Sequence, residues 1–279
     1  MSADDQLFQL APAQPRPPAA VDAARVLLFN CQHASPERAR RQVAWISDEE
    51  GADLVVLTEV GPGPGGAALV EALADNGYAT VIAPRPEVPD YLTVLASRSA
   101  PMHAVPSGVS VLPHRAPAAT VHIGGRSVGL VGLYVPSRGP KERRNEAKKD
   151  FQGAVTAALP GLAAIFPDMP VIVAGDLNVI EPGHQPAHAV FGRWEYAFYD
   201  SFGSAGLTDA FRHAHPETAD HSWYGRSGRG FRFDHIFTTA ADASRITACV
   251  YDHRPREDGL TDHAAMSLQL TFPTTTALV

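Results

Sequence analysis

The amino-acid sequence predicts one mixed α/β domain over about residues 25–272. Short apolar runs of strand length recur along this stretch, and segments with helical spacing of apolar residues lie between some of them. No internal repeat or linker divides it. A composition of 45% hydrophobic and 19% charged residues is that of a globular protein able to bury a large core. Strands and helices mixed in one uninterrupted stretch therefore indicate a single domain.

The composition also excludes several classes of protein. A net charge of −7 argues against a protein that coats nucleic acid indiscriminately. No apolar run approaches the roughly 18–20 residues that span a bilayer, and the first residues lack the basic start and apolar core of a secretory signal. Cys31 and Cys249 are too few for a disulfide framework or a cysteine-based zinc site. We therefore expect a soluble protein in a reducing compartment, the cytoplasm.

Two terminal segments are expected to lie outside the domain. Residues 1–24 are rich in alanine and proline, which is typical of a flexible tail, and residues 273–279 form a C-terminal tail. Within the first tail, Gln6-Leu7-Phe8 loosely resembles the short peptides that dock on sliding clamps. An unstructured leader is the alternative interpretation of this segment.

Ten segments are predicted as β-strands because apolar runs there lie between turn signals. The predicted strands cover residues 25–29, 53–58, 78–83, 91–97, 109–112, 120–123, 127–134, 171–174, 231–238 and 264–270. Two of them, 53–58 and 171–174, contain an unbroken run of four apolar residues, as in strands buried on both faces. Gly124-Gly125 between two others predicts a hairpin.

Three segments are predicted as helices from their boundaries and spacing. The first begins at Ser35, a cap residue, with proline in the first turn. The second covers residues 67–75 and is closed by Asn76-Gly77. The third covers residues 141–158, where lysine and arginine alternate with glutamate and aspartate. Both a solvated face and a contact with nucleic acid remain open for this helix.

Polar residues follow the ends of several predicted strands, where sheets commonly present catalytic groups. The residues in such positions are Asn30, Glu59, Tyr134, Asp176 and Asn178, and the pair Asp262-His263 precedes the last strand. If these side chains converge, they form a site rich in oxygen ligands with a single histidine. Such a set suits Mg²⁺ or Mn²⁺ and suits zinc poorly. A hard cation with carboxylates points to a phosphate substrate, whose charge the metal neutralises.

Five motifs in a fixed order make this pattern specific. They are residues 134–139 (Tyr-Val-Pro-Ser-Arg-Gly), 175–179 (Gly-Asp-Leu-Asn-Val), 206–212 (Gly-Leu-Thr-Asp-Ala-Phe-Arg), 221–224 (His-Ser-Trp-Tyr) and 230–234 (Gly-Phe-Arg-Phe-Asp). With them the chain resembles the endonuclease/exonuclease/phosphatase superfamily, most of all its exonuclease III and apurinic/apyrimidinic (AP) endonuclease branch. The resemblance implies a DNase I-like fold, a four-layer α/β/β/α sandwich with two mixed sheets inside and helices outside.

The resemblance also implies a role for each matching residue. The implied catalytic residues are Asp176, His263, Asp234, Asn178 and Tyr134, with Asp234 fixing the His263 tautomer. The implied metal site holds Mg²⁺, with Mn²⁺ as an alternative, through Glu59, Asn30 and Asp262. The implied substrate contacts are Ser137, Arg138, Trp223, Arg229 and Phe231. The reaction would be in-line attack of water on a phosphodiester.

The substrate implied by the resemblance is DNA, expected as a duplex with an abasic or 3′-blocked lesion and bound by a monomer. Some residues depart from the branch: Val60-Gly61 stands where relatives have Thr-Lys, and Ser222 stands where a pocket aromatic is frequent. A phosphatase or phosphodiesterase acting on a small phosphorylated metabolite or lipid headgroup is therefore the first alternative. A non-catalytic DNA-binding or scaffold protein is the second.

Overall fold

The structure is a computed structural model that describes residues 23–98, 100–123, 125–138 and 142–272. Within them, two six-stranded mixed sheets form the centre of the molecule. The clamp-like segment Gln6-Leu7-Phe8 and the predicted C-terminal tail lie outside the described residues. None of the helices in the described ranges is long and apolar enough to cross a membrane.

The first sheet has the strand order β13-β14-β1-β2-β4-β3. Its strands are β1 (Ala23–Asn30), β2 (Leu54–Val60), β3 (Thr80–Ile82), β4 (Leu92–Ser97), β13 (Ile246–Asp252) and β14 (Ala265–Thr271). Only β1 and β2 run parallel, and the other neighbours are antiparallel. Strand β1 begins two residues before the boundary that the sequence predicted for the domain.

The second sheet has the strand order β5-β6-β7-β8-β12-β9. Its strands are β5 (Met102–Val105), β6 (Ala118–Ile123), β7 (Arg126–Tyr134), β8 (Val171–Asp176), β9 (Leu207–Asp209) and β12 (Asp234–Thr239). Here β7 and β8 are the parallel pair. A separate two-stranded hairpin joins β10 (Trp223–Tyr224) to β11 (Gly230–Phe231).

The two sheets pack face to face, with one apolar core between them and one core under each outer layer of helices. The helices are α1 (Pro36–Trp45), α2 (Pro64–Asp75), α3 (Glu142–Ala158), α4 (Leu162–Ile165), α5 (Arg193–Ser204), α6 (Ala210–Ala214) and α7 (Arg254–Glu257). Helices α1 and α2 cover the first sheet, and α3, α4 and α5 cover the second. This confirms the four-layer sandwich.

Gly132 of β7 contacts the first sheet across the central core. A Cβ atom added there would lie 2.6 Å from Thr93 Cγ2 and 2.9 Å from Leu95 Cδ2 on β4. An alanine at this position would therefore force these side chains to move, and glycine fits without any shift.

Some element predictions from the sequence were wrong. Residues 109–112 are irregular, whereas the short edge strand β5, between Pro101 and Pro106, was missed. Helix α5 was also missed, because its aromatic residues have low helix propensity and it forms by packing against β12 and α3. The predicted strand 231–238 is interrupted at Arg232 and Phe233 and divides into β11 and β12.

Candidate active site

The strand directions bring the predicted polar residues to one edge of the sandwich. In the second sheet, Asp176 lies opposite Tyr134 of the parallel strand β7 and opposite Asp234, the first residue of antiparallel β12. In the first sheet, Asn30 ends β1, and Glu59 lies near the end of the neighbouring parallel strand β2. The Asn30 Nδ2 atom donates a hydrogen bond to Asp176 Oδ2 at 3.0 Å and so connects the strand ends of the two sheets.

The polar residues at these strand ends lie around a cavity of about 340 Å³. The side chains around it are those of Glu59, Tyr134, Ser137, Arg138, Asp176, Asn178, Val190, Phe191, Trp223, Phe231, Phe233, Asp262 and His263. Ten of the thirteen residues assigned from the sequence to catalysis, metal or substrate therefore meet at the same cavity, in addition to Val190, Phe191 and Phe233. The volume lies within the range of small-molecule sites.

Asp176 is the best-connected acidic group in this cavity. Its Oδ1 atom accepts a hydrogen bond from the Asn178 backbone N–H at 2.9 Å, and its Oδ2 atom accepts from Asn30 and, at 3.3 Å, from Asn178 Nδ2. Burial raises the pKa of Asp176 above its usual range, and the negative charge of Asp234 adds to this increase. The site therefore holds more negative charge than its own residues neutralise.

His263 and Asp234 form a buried pair. The His263 Nδ1 atom lies 2.6 Å from Asp234 Oδ2. Burial lowers the pKa of His263, but the Asp234 carboxylate outweighs it, and the pKa rises to about 10. The hydrogen bond fixes Nδ1 as the proton donor to Asp234 and leaves Nε2 for a second partner.

Ser222 holds Asp234 in place. Its hydroxyl oxygen accepts hydrogen bonds from the backbone N–H groups of Phe233 at 3.0 Å and Asp234 at 3.1 Å. The expectation that Ser222 replaces an aromatic of the pocket is not met, because Ser222 is fully buried and does not border the cavity. It instead connects the β10 hairpin to the start of β12.

Two residues at the cavity have strained backbones. Glu59 has a φ of 54° and Asn178 a φ of 49°, in the left-handed region that residues other than glycine rarely adopt. Asn178 is held there by its Nδ2 hydrogen bond to the Val135 carbonyl at 2.9 Å. Such strain is typical of functional positions, because surrounding contacts must maintain it.

The Tyr134 phenol is a neutral donor within this negative environment. Its ring is buried, with the Arg115 guanidinium 4.8 Å from the ring centroid and Tyr91 edge-on at 6.0 Å. Burial raises the pKa of Tyr134, and the charges of Glu59 and Asp176 raise it further. Tyr134 therefore keeps its proton and can donate to an anionic ligand.

Aromatic side chains form one wall of the same cavity. Phe231 and Phe233 stack with centroids 5.1 Å apart, and Trp223 stacks on Phe233 at 5.8 Å. The Trp223 indole Nε1–H donates to Asp262 Oδ2 at 2.9 Å and thereby links the wall to the polar residues. Phe191, which the sequence analysis did not assign, lies edge-on to Phe231 and Phe233.

The donor set fits a hard divalent cation. Ligand atoms of Asp176, Asp234 and His263 lie within 4.8 Å of one another, and Glu59 borders the same cavity. In the described part of the chain, the buried Oδ1 atoms of Asp234 and Asp262 accept no hydrogen bond. Uncompensated carboxylate oxygens are ligands that Mg²⁺ and Mn²⁺ prefer.

Three assigned residues are not on the cavity lining. Asp234 is buried and takes part in the site through its hydrogen bond to His263. Asn30 is buried beneath Asp176, and its Oδ1 atom already accepts a hydrogen bond from the Gln32 N–H at 2.8 Å. Arg229 lies in the exposed turn between β10 and β11, where its guanidinium donates to the Ala187 carbonyl. That contact holds the Arg229 side chain against the preceding loop and away from the cavity.

The structure combines a four-layer sandwich with a buried Asp–His pair, a carboxylate cluster and an aromatic wall at one edge. The protein belongs to the class of phosphoesterases, enzymes that hydrolyse ester bonds to phosphate. The sequence model of the Endonuclease/Exonuclease/phosphatase family matches residues 27–263, and the chain belongs to this family. Enzymes of the family depend on a divalent metal. No curated protein sequence matches the chain.

Solved structures share the fold at low sequence identity. An AP endonuclease from Archaeoglobus fulgidus is 20% identical, with a TM-score of 0.71, over 88% of this chain and 98% of that chain. A 3′–5′ exonuclease from Neisseria meningitidis is 21% identical, with a TM-score of 0.71, over 89% of this chain and 100% of that chain. A Neisseria 3′ phosphatase bound to a product DNA hairpin is 21% identical, with a TM-score of 0.70, over the same shares of the two chains.

Proposed function

We propose that this phosphoesterase is a Mg²⁺-dependent DNA repair nuclease that hydrolyses DNA phosphodiesters at abasic or 3′-blocked lesions. The observation that carries the proposal is one cavity lined by two kinds of side chain. Asp176, His263 and Glu59 are ionisable groups of the lining, and the Trp223 and Phe231 rings belong to the same lining. A phosphate fits the ionisable groups, and a sugar exposed by an unpaired or missing base fits the rings.

Each polar residue has a role in in-line attack of water on the phosphodiester. Asp176 either accepts a proton from the attacking water or assists the leaving oxygen, and Asn178 orients the nucleophile or the phosphate. His263 donates from Nε2 to a non-bridging phosphate oxygen, and Tyr134 donates its phenol proton to the same group. A Mg²⁺ or Mn²⁺ ion held by Glu59, with Asn30 and Asp262 assisting, would neutralise charge on the phosphate.

The DNA substrate is supported by what the structural neighbours act on. One is an AP endonuclease, and another is a 3′ phosphatase bound to a product DNA hairpin. Ser137 and Arg138 border the cavity beside Tyr134 and would bind the phosphates next to the lesion. Arg229 would reach such a phosphate only if its contact with Ala187 opened. We further propose a cytoplasmic monomer, with the sliding-clamp contact of Gln6-Leu7-Phe8 as a separate hypothesis.

The test is incision of a labelled duplex that carries one abasic analogue, with Mg²⁺ and with EDTA. Wild-type protein is expected to cut at the lesion only with the metal. Asp176→Asn is expected to abolish cutting, and Asp150→Asn, which removes an exposed carboxylate of α3, is the control for loss of charge. If wild-type protein did not cut the lesion duplex with any of the divalent metals tried, the proposal would be overturned.

A second candidate, hydrolysis of a small phosphate ester, is favoured by two observations. The net charge of −7 does not favour a DNA backbone. The cavity of about 340 Å³ is also of a size that holds a small molecule. Turnover of small phosphodiesters without any incision of DNA would select this candidate.

A further inference from the structure

Lys148 is a charged residue with no contact to solvent. It lies on α3, in the segment for which the sequence left a solvated face or a nucleic-acid contact open, yet both its side chain and that of Glu195 on α5 are fully buried. The Lys148 Nζ atom lies 2.6 Å from Glu195 Oε1. Burial lowers the pKa of Lys148, while the Glu195 carboxylate acts in the opposite direction. Neither a solvated face nor a nucleic-acid contact therefore describes this residue.

The second partner of Lys148 is the catalytic loop. Nζ also donates to the backbone carbonyl of Asn178 at 2.7 Å. Asn178 is the residue with a φ of 49°, and its backbone N–H donates to Asp176 Oδ1 at 2.9 Å. The ammonium group therefore holds the carbonyl of a strained residue whose backbone N–H is bonded to the central carboxylate of the site.

Glu195, the ion-pair partner of Lys148, also contacts the substrate side of the cavity. Its Oε2 atom accepts the Gly192 N–H at 2.9 Å, which fixes the start of α5, and lies 3.7 Å from Arg138 Nη1. Arg138 borders the cavity and is part-exposed. One carboxylate thus fixes Lys148 and limits where Arg138 can lie.

A buried ion pair is weak support for stability, because taking two charges out of water offsets most of their attraction, and apolar residues of the same volume stabilise a core at least as well. Resting on the proposed phosphodiesterase activity, we propose that Lys148 is a positioning residue that maintains the left-handed Asn178 loop and, through Glu195, the orientation of Arg138. The pair contributes to the turnover number rather than to folding alone.

The experiment compares three proteins on a minimal substrate, bis(p-nitrophenyl) phosphate with Mg²⁺, and on the lesion duplex. Lys148→Met alone leaves Glu195 buried without its partner and is expected to destabilise the fold. Lys148→Met with Glu195→Gln removes both charges and keeps an acceptor for the Gly192 N–H. Lys149→Met is the matched control, because Lys149 is the exposed neighbour on the same helix.

The double variant is expected to melt near the wild-type temperature while its kcat falls about 10- to 100-fold on both substrates, the effect of a misplaced catalytic group. Its KM for the minimal substrate should change less than threefold. Amide hydrogen exchange in residues 176–180 should become faster. Lys149→Met should match wild type in melting temperature, in hydrogen exchange, and in kcat and KM for the minimal substrate. A double variant with normal kcat and normal exchange would overturn the positioning role.

Hydrogen exchange separates this inference from the proposed function. If wild-type protein hydrolyses neither substrate but the double variant still loses protection at residues 176–180, the proposed function fails and the anchoring of the loop stands. If wild-type protein is active and the exchange is unchanged in the double variant, the proposed function stands and the anchoring is refuted.

Discussion

Two clusters of buried charge lie on either side of the segment that leads into β12, and they are neutralised to different extents. The arginine cluster consists of Glu181, Asp209, Arg212 and Arg232. Arg232 Nη2 contacts Glu181 Oε2 at 2.6 Å and Asp209 Oδ2 at 2.8 Å, and Arg212 binds the same glutamate. The second cluster, at the cavity, consists of Asp176, Asp234 and His263, and it has one imidazole and no arginine or lysine among its own members.

The difference appears in the pKa values of the carboxyl groups. Burial raises the pKa of Glu181, but the Arg212 hydrogen bond and the Arg232 charge outweigh it and lower the pKa to about 2. The pKa of Asp209 is likewise lowered, despite burial, by Arg232. The pKa of Asp176 is raised by burial and by Asp234. The fold can neutralise buried carboxylates with arginine, and at the cavity it leaves negative charge available for a cation.

The largest expected effect is that of Asp176→Asn, which removes charge from the uncompensated cluster. We expect turnover to fall about 10³-fold or more, because Asp176 is the residue proposed to act on the attacking water or the leaving oxygen. The melting temperature should stay equal or rise, because a buried carboxylate beside Asp234 disappears. Turnover on the lesion duplex and thermal unfolding of the same preparation test both expectations. Loss of activity together with a large loss of stability would show that Asp176 serves the fold.

The second-largest expected effect is a loss of folding stability without a loss of turnover. Arg232→Met leaves Glu181 and Asp209 without their shared partner, and removing one member of a buried ion network costs about 3–5 kcal/mol. Urea unfolding measures this loss, with Arg226→Met in the exposed β10–β11 turn as the control. Below its unfolding transition the variant should keep kcat within a few-fold of wild type. A kcat loss as large as that of Asp176→Asn would contradict the separation of the two clusters.

The two clusters also differ in how well the sequence predicts them. Strand ends are readable because continuous apolar runs stop abruptly at polar residues, and Asp176 and Glu59 were assigned in this way. The contacts of these residues could not be predicted from the sequence, since the Asn30–Asp176 hydrogen bond joins residues 146 positions apart in two different sheets. The arginine cluster was not predicted as a cluster, although Asp209, Arg212 and Arg232 lie in two of the quoted motifs, because Arg232 lies in what looks like an ordinary strand and is buried only by the tertiary fold.

Acid should weaken the arginine cluster. The pKa of Glu181 is lowered to about 2 in the fold from an ordinary value of 4.5, so its stabilisation is complete above pH 4.5. It is lost as the pH falls from 4.5 towards 2, because the unfolded chain then binds a proton that the folded chain does not. Urea unfolding of wild type and Glu181→Gln between pH 6 and pH 2.5 tests this sign. The stability difference between the two proteins should shrink as the pH falls, and a constant difference would refute the linkage.

The smallest expected effect is stabilisation by the metal, and it distinguishes the clusters directly. A cation that binds only the folded state at ten times its Kd stabilises the fold by about 1.4 kcal/mol. Mg²⁺ should therefore raise the melting temperature of wild-type protein, and EDTA should reverse the rise. Glu59→Gln should lose this increment, because Glu59 borders the cavity with its charge uncompensated by arginine. Glu181→Gln is the same substitution in the neutralised cluster, and it should keep the full increment although the protein is less stable at the outset. If both variants lost the increment equally, the metal would stabilise through bulk charge, and the cavity would not be its site.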